Sequence, residues 1–414
     1  MNHSRNNIKA SWLHVSDLHV FPEADTTLML DDYVELAKII SPEFLVVTGD
    51  FRHKRYETNF SLAREYLELL INIFSINKKD VFLLPGNHDV NYYDGRADAI
   101  SDICLRSEEG HYNVYSKYLL SKGFCDYNDF VREFYRGTDV SDSRIIDPSG
   151  VHCVVWNNLI NILIINTALI SDGENHNQIL DINSLSQCQI DFTLPSIMLG
   201  HHGIDSLYPC YAERVRSIID RRKISAYLHG DSHRYMNDPI SKISTPNSTL
   251  PSITCAKSAP QSGDSYSDIG VVYYEWRNDG NTYVQAYRWA QNGFVEDSKY
   301  YYGIDKRYYF PMIYEKDDMV DNPQTLYKQI KNIMNDHSVF MAGKWLKEAE
   351  TVWRASGHEG IGRCLLTFYC EKASNGIVSA HQQAQEIYCA LSQIPNHDTK
   401  TQKMLEVTRK LIFR

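Results

Sequence analysis

Short apolar runs rich in β-branched and aromatic residues recur through the first two thirds of the chain, and each ends in a cluster of polar residues. They lie at 12–15, 44–48, 81–84, 161–166, 197–199 and 226–228. Helical patterns over 28–40 and 60–74 separate the first three runs, so the opening predicts a βαβαβ unit with buried strands and a layered α/β architecture. In such folds the functional site lies at the carboxyl ends of the strands, where these polar clusters fall.

The segment 92–149 is rich in tyrosine and charge and has a helical pattern at 112–120. We expect it to be an insertion that caps one side of the sheet and helps to shape a pocket. Further on, aromatic and aliphatic residues alternate over 270–276 and 281–289 around a turn that ends in Gly280. This pattern predicts a β-hairpin in an antiparallel part of the core.

An acidic, proline-containing segment at 315–323 predicts a domain boundary near Asp318. The expected domains are therefore 1–317 and a helical C-terminal domain, 318–414, of unassigned role. Helices are predicted at 324–335, 340–355, 378–391 and 401–412. Their apolar spacing is more typical of packing than of a partner groove, and a protein partner for these helices is the alternative.

Composition excludes several classes of protein. With 414 residues and 43% hydrophobic composition the chain can bury a full core. A formal net charge of −10 argues against a surface that follows a nucleic-acid backbone throughout. Nine cysteines without zinc or redox spacing indicate reduced thiols. Apolar runs fall short of the roughly 18 residues of a membrane helix, and no secretory signal opens the chain, so we expect a cytoplasmic protein that does not enter membranes.

Five strand ends carry residue types that bind metal ions. Asp17 and His19 follow the first run at alternate positions, which lets both side chains converge on one ion. Asp50 follows the second run directly after Gly49, and a carboxylate placed there has two oxygens that can bridge two metals. Either motif alone would be read as an ordinary turn.

The third strand end is more specific. Asn87 offers a neutral oxygen ligand, and His88 stands beside Asp89. We expect these last two to form an acid–base pair in which the carboxylate fixes the tautomer of the imidazole. The imidazole could then protonate a leaving alkoxide or hold a phosphate oxygen.

The last two strand ends are histidine-rich. They carry His201, His202, His229, Asp231 and His233. A single histidine at a strand end is usually structural, but five such ends in chain order predict one functional centre.

Together, Asp-x-His, Gly-Asp, Gly-Asn-His-Asp, a histidine-bearing strand end and Gly-x-x-His resemble the calcineurin-like metallophosphoesterase superfamily over about 10–240. The likeness is greatest to its cyclic-nucleotide phosphodiesterase branch. The resemblance implies an α/β fold, a layered β-sandwich flanked by helices, here followed by a C-terminal helical region. It also implies hydrolysis of a phosphate ester by a hydroxide that two divalent metal ions activate.

The resemblance further implies a set of metal ligands: Asp17, His19, Asp50, Asn87, His201, Asp231 and His233. In that scheme the first metal is held by the two residues of the first strand end together with His233. Asp50 bridges, and the second metal is held by Asn87 and His201, the latter chosen over His202. The catalytic residues would be His88, in contact with the phosphate, and Asp89, which orients it.

Asp231 departs from the family pattern, which has a histidine at that position. A carboxylate is a harder ligand than imidazole, which favours Mn or Mg relative to Zn; alternatively the second site is weakened or empty. The expected cofactor is a pair of divalent ions, with Mn favoured and Mg, Fe, Ni and Zn left open. His229 is expected to be structural.

The function expected from these residues is that of a phosphodiesterase, with the nature of the ester left open between nucleotide, dinucleotide and nucleic-acid end. A metal-dependent nuclease is one alternative, favoured by the basic clusters 52–55 and 221–223, although solvated charge explains both more simply. The other alternative is a phosphate-ligand sensor or scaffold, weakened at Asp231, that signals through its helical tail.

Overall fold

A computed structural model describes most of the first three quarters of the chain and parts of the remainder. The described residues are 7–20, 29–53, 60–105, 114–140, 144, 150–171, 178–231, 240–259, 269–290, 293–297, 308–314, 327, 349–350, 353–354, 358–374, 378–394 and 397–412. The chain divides into two compact units, Met1–Tyr314 and Glu315–Arg414. The expected domains, 1–317 with its capping insertion and 318–414, stay a prediction.

The strands, in chain order, are β1 (Ile8–Val15), β2 (Phe44–Val47), β3 (Val81–Leu83), β4 (Val151–Trp156), β5 (Ile160–Ile165), β6 (Ser196–Leu199), β7 (Ile224–His229), β8 (Ile240–Ser244), β9 (Thr249–Thr254), β10 (Gly270–Arg277), β11 (Asn281–Ala290), β12 (Gly293–Glu296) and β13 (Tyr308–Pro311). All six predicted strands are confirmed, and so is the predicted hairpin, which β10 and β11 form.

These strands form two mixed sheets. The first runs β12-β11-β10-β1-β2-β3, with β13 also paired to β11. In it β1, β2 and β3 are parallel, while β10 runs antiparallel to β1. The second runs β4-β5-β6-β7-β9-β8, with its four central strands parallel and its two edge strands antiparallel. The carboxyl ends of the parallel strands carry the predicted site residues.

The two sheets pack face to face over one apolar core. Because side chains alternate along a strand, Ile162 of β5 belongs to the cluster between the sheets, while its neighbour Leu163 belongs to a second cluster on the outer face. Phe44 of β2 contacts Trp156 of β4 across the sandwich, with ring centroids 4.7 Å apart. The layered β-sandwich flanked by helices is thus the observed architecture of this unit.

The helices of the first unit are α1 (Leu30–Ala37), α2 (Ser61–Phe74), α3 (Arg96–Leu105), α4 (Val114–Lys122), α5 (Cys125–Phe134), α6 (Ile182–Gln187) and α7 (Pro209–Arg221). Helices α3 to α5 belong to the predicted insertion. Buried Arg96 on α3 donates hydrogen bonds to the carbonyl oxygens of Leu120, Leu169 and Ser171, so it ties α3 to α4 and to the chain after β5.

In the second unit the structure describes α8 (Glu359–Ser374), α9 (Val378–Ser392) and α10 (Thr399–Ile412). The last two confirm the predicted helices 378–391 and 401–412. The predicted helix 324–335, apart from Tyr327, and most of 340–355 lie outside the described residues. No helix in the described part of the chain has both the length and the apolar composition needed to span a bilayer.

Candidate metal centre

The described site residues follow the strand ends, as expected from the sequence. Asp17 and His19 follow β1, Asp50 follows β2, and Asn87 and His88 begin a short 3-10 helix after β3. Two more segments reach the same place: His201 and His202 follow β6, and Asp231 follows β7. His233 lies outside the described residues, so its predicted role stays a prediction.

Four of the expected ligands adopt a left-handed backbone. The φ angles are 51° at Asp17, 44° at His19, 56° at Asp50 and 69° at Asp231. Such angles are uncommon outside glycine and persist where the surrounding structure holds them in place. Their concentration at the strand ends is typical of functional sites.

Asp50 lies at the centre of the cluster. Its Oδ2 is 3.4 Å from Nε2 of His19 and 3.9 Å from Nε2 of His88, whereas its Oδ1 is 3.5 Å from Nε2 of His201. The two oxygens therefore face two different groups of side chains. This is the arrangement that a carboxylate bridging two metal ions requires.

On the first side, Nε2 of His19 also lies 3.8 Å from Oδ1 of Asp17. Both side chains are almost completely buried, as is Asp50. Ligand atoms of His19, Asp50 and His88 form one group in which all lie within 4.8 Å of one another, and those of Asp17, Asp50 and His201 form another. Carboxylate and imidazole groups gathered in this way suit Mn, Fe or Zn.

On the second side, His201 has a defined tautomer. Its Nδ1 lies 2.6 Å from the carbonyl oxygen of Thr48, which only accepts hydrogen bonds, so Nδ1 carries a proton. Its Nε2 lies 2.9 Å from Oδ1 of Asn87. A proton or a metal ion between Nε2 and Oδ1 would make this contact favourable.

The electrostatics of His201 agree with this reading. Burial lowers the pKa of His201, but the charges of Asp50, Asp17 and Asp231 more than offset the burial and raise the pKa well above its usual value. The surrounding carboxylates therefore stabilise positive charge at His201. Metal binding would displace a proton at Nε2, so the donor set fits a divalent ion on this side.

Asp231 reaches the same side of the cluster. Its Oδ1 is 3.9 Å from Nε2 of His201, and its backbone N–H donates to Oδ2 of Asp17 at 3.1 Å. The side chain is 38% exposed, in contrast to the buried carboxylates around it. A carboxylate thus stands where it can contribute to the second metal position.

Asp89 has a different role from the one that the sequence suggested. Its carboxylate accepts the backbone N–H groups of Gly86, Asp50 and Phe51 at 2.9, 2.8 and 3.0 Å. Nδ1 of His88 instead lies 2.6 Å from the carbonyl oxygen of His53. The expectation that Asp89 orients the imidazole is therefore wrong; a backbone carbonyl does so, and Asp89 joins two loops.

Burial raises the pKa of Asp89 to about 7, and the charge of Asp50 adds to the effect, whereas the hydrogen bond from Gly86 opposes it. The loops that Asp89 joins approach each other very closely. A Cβ at Gly86 would overlap the carboxylate of Asp50, and one at Gly49, whose φ is +93°, would lie 2.6 Å from the backbone nitrogen of Gly86. Both glycines are required for this approach.

The structure assigns several neighbouring charged and histidine side chains to structural roles. Arg52 is 1% exposed and donates to the carbonyl oxygen of His88 and to Oδ1 of Asn91, so it is not part of a basic surface. Arg222 is likewise buried, against backbone carbonyls. His229 contacts Oγ1 of Thr254 at 3.1 Å, and burial lowers its pKa to about 4, in keeping with a structural histidine.

Three groups that set the geometry were not predicted from the sequence. They are the carbonyl oxygens of Thr48 and His53 and the hydroxyl of Thr167, which accepts the backbone N–H groups of His201 and His202 at 3.2 and 2.9 Å. Backbone carbonyls leave no sequence signal. Thr167 does leave a signal in the sequence, because it directly follows Asn166 at the end of an apolar run.

Comparison with known proteins gives a family model and several relatives. The calcineurin-like phosphoesterase model matches residues 11–235. An uncharacterized metallophosphoesterase-like protein, YydB, of Bacillus subtilis (strain 168) is 26% identical in an alignment of 244 residues, which covers 55% of this chain and 49% of that protein. The chain thus spans about half the length of that curated relative.

Two solved structures of similar chains are vacuolar protein sorting 29 proteins. One, from Cryptosporidium parvum, has 11% sequence identity and a TM-score of 0.34, with 73% of this chain and 99% of that chain covered. The other, wild-type Vps29 from Entamoeba histolytica complexed with Zn²⁺, has 10% identity and a TM-score of 0.31, with 69% and 97% covered. The family model alone spans more than half of the chain and covers the strand ends from Asp17 to Asp231, and the chain accordingly belongs to the calcineurin-like phosphoesterase family.

Proposed function

We propose that this chain hydrolyses phosphate diesters with the help of two divalent metal ions. The proposed ligands are Asp17, His19, Asp50, Asn87, His201, Asp231 and His233. Membership of the calcineurin-like phosphoesterase family supports a metal-dependent hydrolase of phosphate esters. The observation that carries the proposal is the position of Asp50, whose two oxygens face His19 and His201 on opposite sides.

When bound, two such ions lower the pKa of a water molecule toward neutrality and offset the negative charge of an in-line displacement at phosphorus. The residues of this chain hold the reacting groups in position. His88 donates Nδ1–H to His53, and this bond fixes the plane of the ring. Its Nε2 then faces Asp50, and the side chain is 26% exposed. We assign to Nε2 the proton that would pass to the leaving oxygen, from a ring that is protonated at both nitrogens before the transfer and keeps Nδ1–H after it.

Charge supports a diester over a monoester. A monoester dianion carries one more negative charge than a diester monoanion and needs more positive charge around it. Three carboxylates already converge here, and their negative charge disfavours the dianion. Arg52, which follows the bridging carboxylate closely in sequence, is held against His88 and Asn91 and cannot supply it. The burial of Arg52 and Arg222 also removes part of the basic clusters that favoured a nuclease; Lys54 and Arg55 lie outside the described residues.

The identity of the metal is proposed from the donor set. A second site with Asp50, Asp231, Asn87 and His201 offers three oxygen donors for one nitrogen, which favours Mn or Mg over Zn. The approach of Asp231 to His201 also argues against a site disabled by the substitution, and hence against the sensor alternative. A cytoplasmic location and a protein partner for the C-terminal helices stay predictions from the sequence.

Metal-stripped protein repleted separately with Mn, Mg, Zn, Ni or Fe, assayed on a chromogenic phosphodiester and on a phosphomonoester, tests the proposal. We expect turnover that requires metal, favours the diester and is lost in Asp50→Asn. In His88→Ala turnover should fall by about 10² to 10⁴. Asp205→Asn, at a carboxylate that is 92% exposed, is the matched control and should keep full activity.

Three outcomes would contradict the proposal. A preference for the monoester would overturn the charge argument. Ion binding without turnover of either ester would favour the sensor. Cleavage confined to nucleic acid, with a steep dependence on salt, would favour the nuclease.

A further inference from the structure

Thr167 fixes the tautomer of His202. The Thr167 hydroxyl accepts the backbone N–H groups of His201 and His202, and its third contact is Nδ1 of His202 at 3.0 Å. A hydroxyl has two lone pairs and one proton. Since both lone pairs are used, the hydroxyl proton is donated to Nδ1, and the proton of the neutral imidazole is therefore on Nε2.

The two adjacent histidines therefore present different groups at Nε2. His201 carries its proton on Nδ1, where Thr48 accepts it, and presents Nε2 as a metal ligand. His202 carries its proton on Nε2 and presents a hydrogen-bond donor. This difference supports the choice of His201 over His202 as the ligand by a route independent of the family pattern.

His202 lies beside the second metal position. One of its ring nitrogens is within 4.8 Å of ligand atoms of both His201 and Asp231, and its ring packs edge-on against that of His201 with centroids 4.8 Å apart. Because Nδ1 accepts the proton of the Thr167 hydroxyl, the ring is neutral.

The Nε2–H group of His202 is available as a donor. Among the described residues it has no hydrogen-bond partner, yet it is not sealed from solvent, and the residue as a whole is 5% exposed. A neutral donor that is almost buried next to a metal position adds no repulsion to the cations there. It can strengthen its hydrogen bond as negative charge grows on an oxygen in front of it.

We propose that His202 is a further catalytic residue, which donates a hydrogen bond from Nε2 to a non-bridging oxygen of the substrate phosphate. This proposal rests on the proposed hydrolysis of phosphate esters. It assigns to His202 a contact with the substrate rather than with the metal.

The test compares His202→Ala and His202→Gln with the wild-type protein loaded with Mn. Calorimetry measures the affinity for Mn and, separately, for inorganic phosphate, and a diester assay gives kcat and KM. We expect His202→Ala to lower kcat by about 10² and to weaken phosphate binding, with Mn affinity within about twofold of wild type. His202→Gln, which keeps an N–H donor, should recover part of both losses.

A second measurement reports the tautomer directly. In protein with ¹⁵N-labelled histidine, the long-range ¹H–¹⁵N spectrum should show His202 protonated at Nε2, and Thr167→Val should abolish the bias toward that tautomer. His381→Ala, on α9 of the second unit, is the control for loss of a histidine.

Several results would overturn the proposal. A fall in Mn affinity in His202→Ala would make His202 a ligand or a support for Asp231. A proton on Nδ1, or phosphate binding that His202→Ala leaves unchanged, would remove the donor role. If the wild-type protein turns over no ester but binds phosphate through His202, the proposed function fails while this contact stands.

Discussion

The carboxylate of Asp89 accepts the backbone N–H of Asp50 at 2.8 Å, so that the loop after β3 holds the loop after β2. The same carboxylate accepts the N–H groups of Gly86 and Phe51. Asp50, the central candidate ligand, is thus positioned by the buried side chain of Asp89, which accepts hydrogen bonds from the backbone. The geometry of the candidate site depends on a group whose own hydrogen bonds go to the backbone.

Asp89→Asn should therefore weaken both the fold and the site. The amide retains one accepting oxygen and turns an NH₂ group toward backbone N–H donors, so at least one buried donor is left without an acceptor. We expect the free energy of unfolding to fall by about 1–3 kcal/mol. Urea denaturation of the metal-stripped protein measures this fall.

Asp129→Asn is the control for the loss of a carboxylate. Asp129 is 72% exposed, and its one ion pair among the described residues is with Arg132 in the same helix, so its replacement should change stability by less than about 0.5 kcal/mol. Equal effects of the two variants would show that the three hydrogen bonds to Asp89 contribute little.

Gly86→Ala tests the close approach of the same two loops. Its Cβ would overlap the carboxylate of Asp50 and lie 2.5 Å from the Asp50 backbone nitrogen, so the candidate bridging ligand must move. We expect the affinity for Mn, measured by calorimetry, to fall at least about tenfold, since a misplaced ligand costs 1.4 kcal/mol or more.

Gly280→Ala separates this effect from backbone strain. Gly280 has a φ of +88° with open space around its Cβ position, and it lies in the β10–β11 turn. That variant should lose about 1–2 kcal/mol of stability while it retains wild-type affinity for Mn. Unchanged affinity in Gly86→Ala as well would contradict the packing described here.

Much of the site could be predicted from the sequence because strand ends are visible in it. The apolar runs gave the strand positions, and parallel strands bring their carboxyl ends to one edge, which gathers Asp17, Asp50, Asn87 and His201. The orientation of individual side chains could not be predicted. Whether Asp89 faces a neighbouring imidazole or three backbone N–H groups depends on loops that meet only after folding.

Some elements of the fold could not be predicted from the sequence for the same reason. The edge strands β4 and β8 were not predicted, because an edge strand gains part of its stability from a neighbour distant in sequence. Helix α8 was also missed, since Gly360 and Gly362 near its start have low helix propensity. Close packing explains these glycines: Cβ atoms there would meet Tyr327 and Trp353.

Gly362→Ala tests whether close packing requires a glycine at this position. Alanine gains about 1 kcal/mol of helix propensity over glycine. Its Cβ would lie 2.6 Å from Nε1 of Trp353 and 2.7 Å from Cδ2 of Leu391, however, and overpacking costs about 1–3 kcal/mol. We expect net destabilisation of the second unit, seen as a lower melting temperature by circular dichroism. A higher melting temperature would show that the helix has room to adjust.

The buried side chain of His14 should make the free energy of unfolding depend on pH. Burial, reinforced by the charge of His229, lowers the pKa of His14 from 6.5 to about 3. Between these values the unfolded chain binds a proton that the folded chain does not, so stability falls as the pH is lowered from about 6.5. The slope from this residue approaches about 1.4 kcal/mol per pH unit.

Urea denaturation of the metal-stripped protein between pH 4.5 and about 7 measures that slope. In His14→Gln the slope of stability against pH should decrease by the contribution of one proton. The control His381→Gln, at a half-buried position on α9, should leave the slope unchanged. An unchanged slope in His14→Gln would mean that His14 already takes up its proton in the folded protein.

Asp231→His tests whether this residue sets the preference for metal. Oδ1 of Asp231 is 3.9 Å from Nε2 of His201, so a side chain at this position can contribute to the second ion. Imidazole is a softer donor than carboxylate and favours Zn relative to Mn. We expect the ratio of Zn to Mn affinity, from chelator competition, to rise at least about tenfold, equivalent to 1.4 kcal/mol. Asp205→His, at a carboxylate far more exposed, should leave the ratio unchanged. If Asp231→His also leaves it unchanged, Asp231 binds no metal, and its backbone N–H bond to Asp17 would be its contribution to the site.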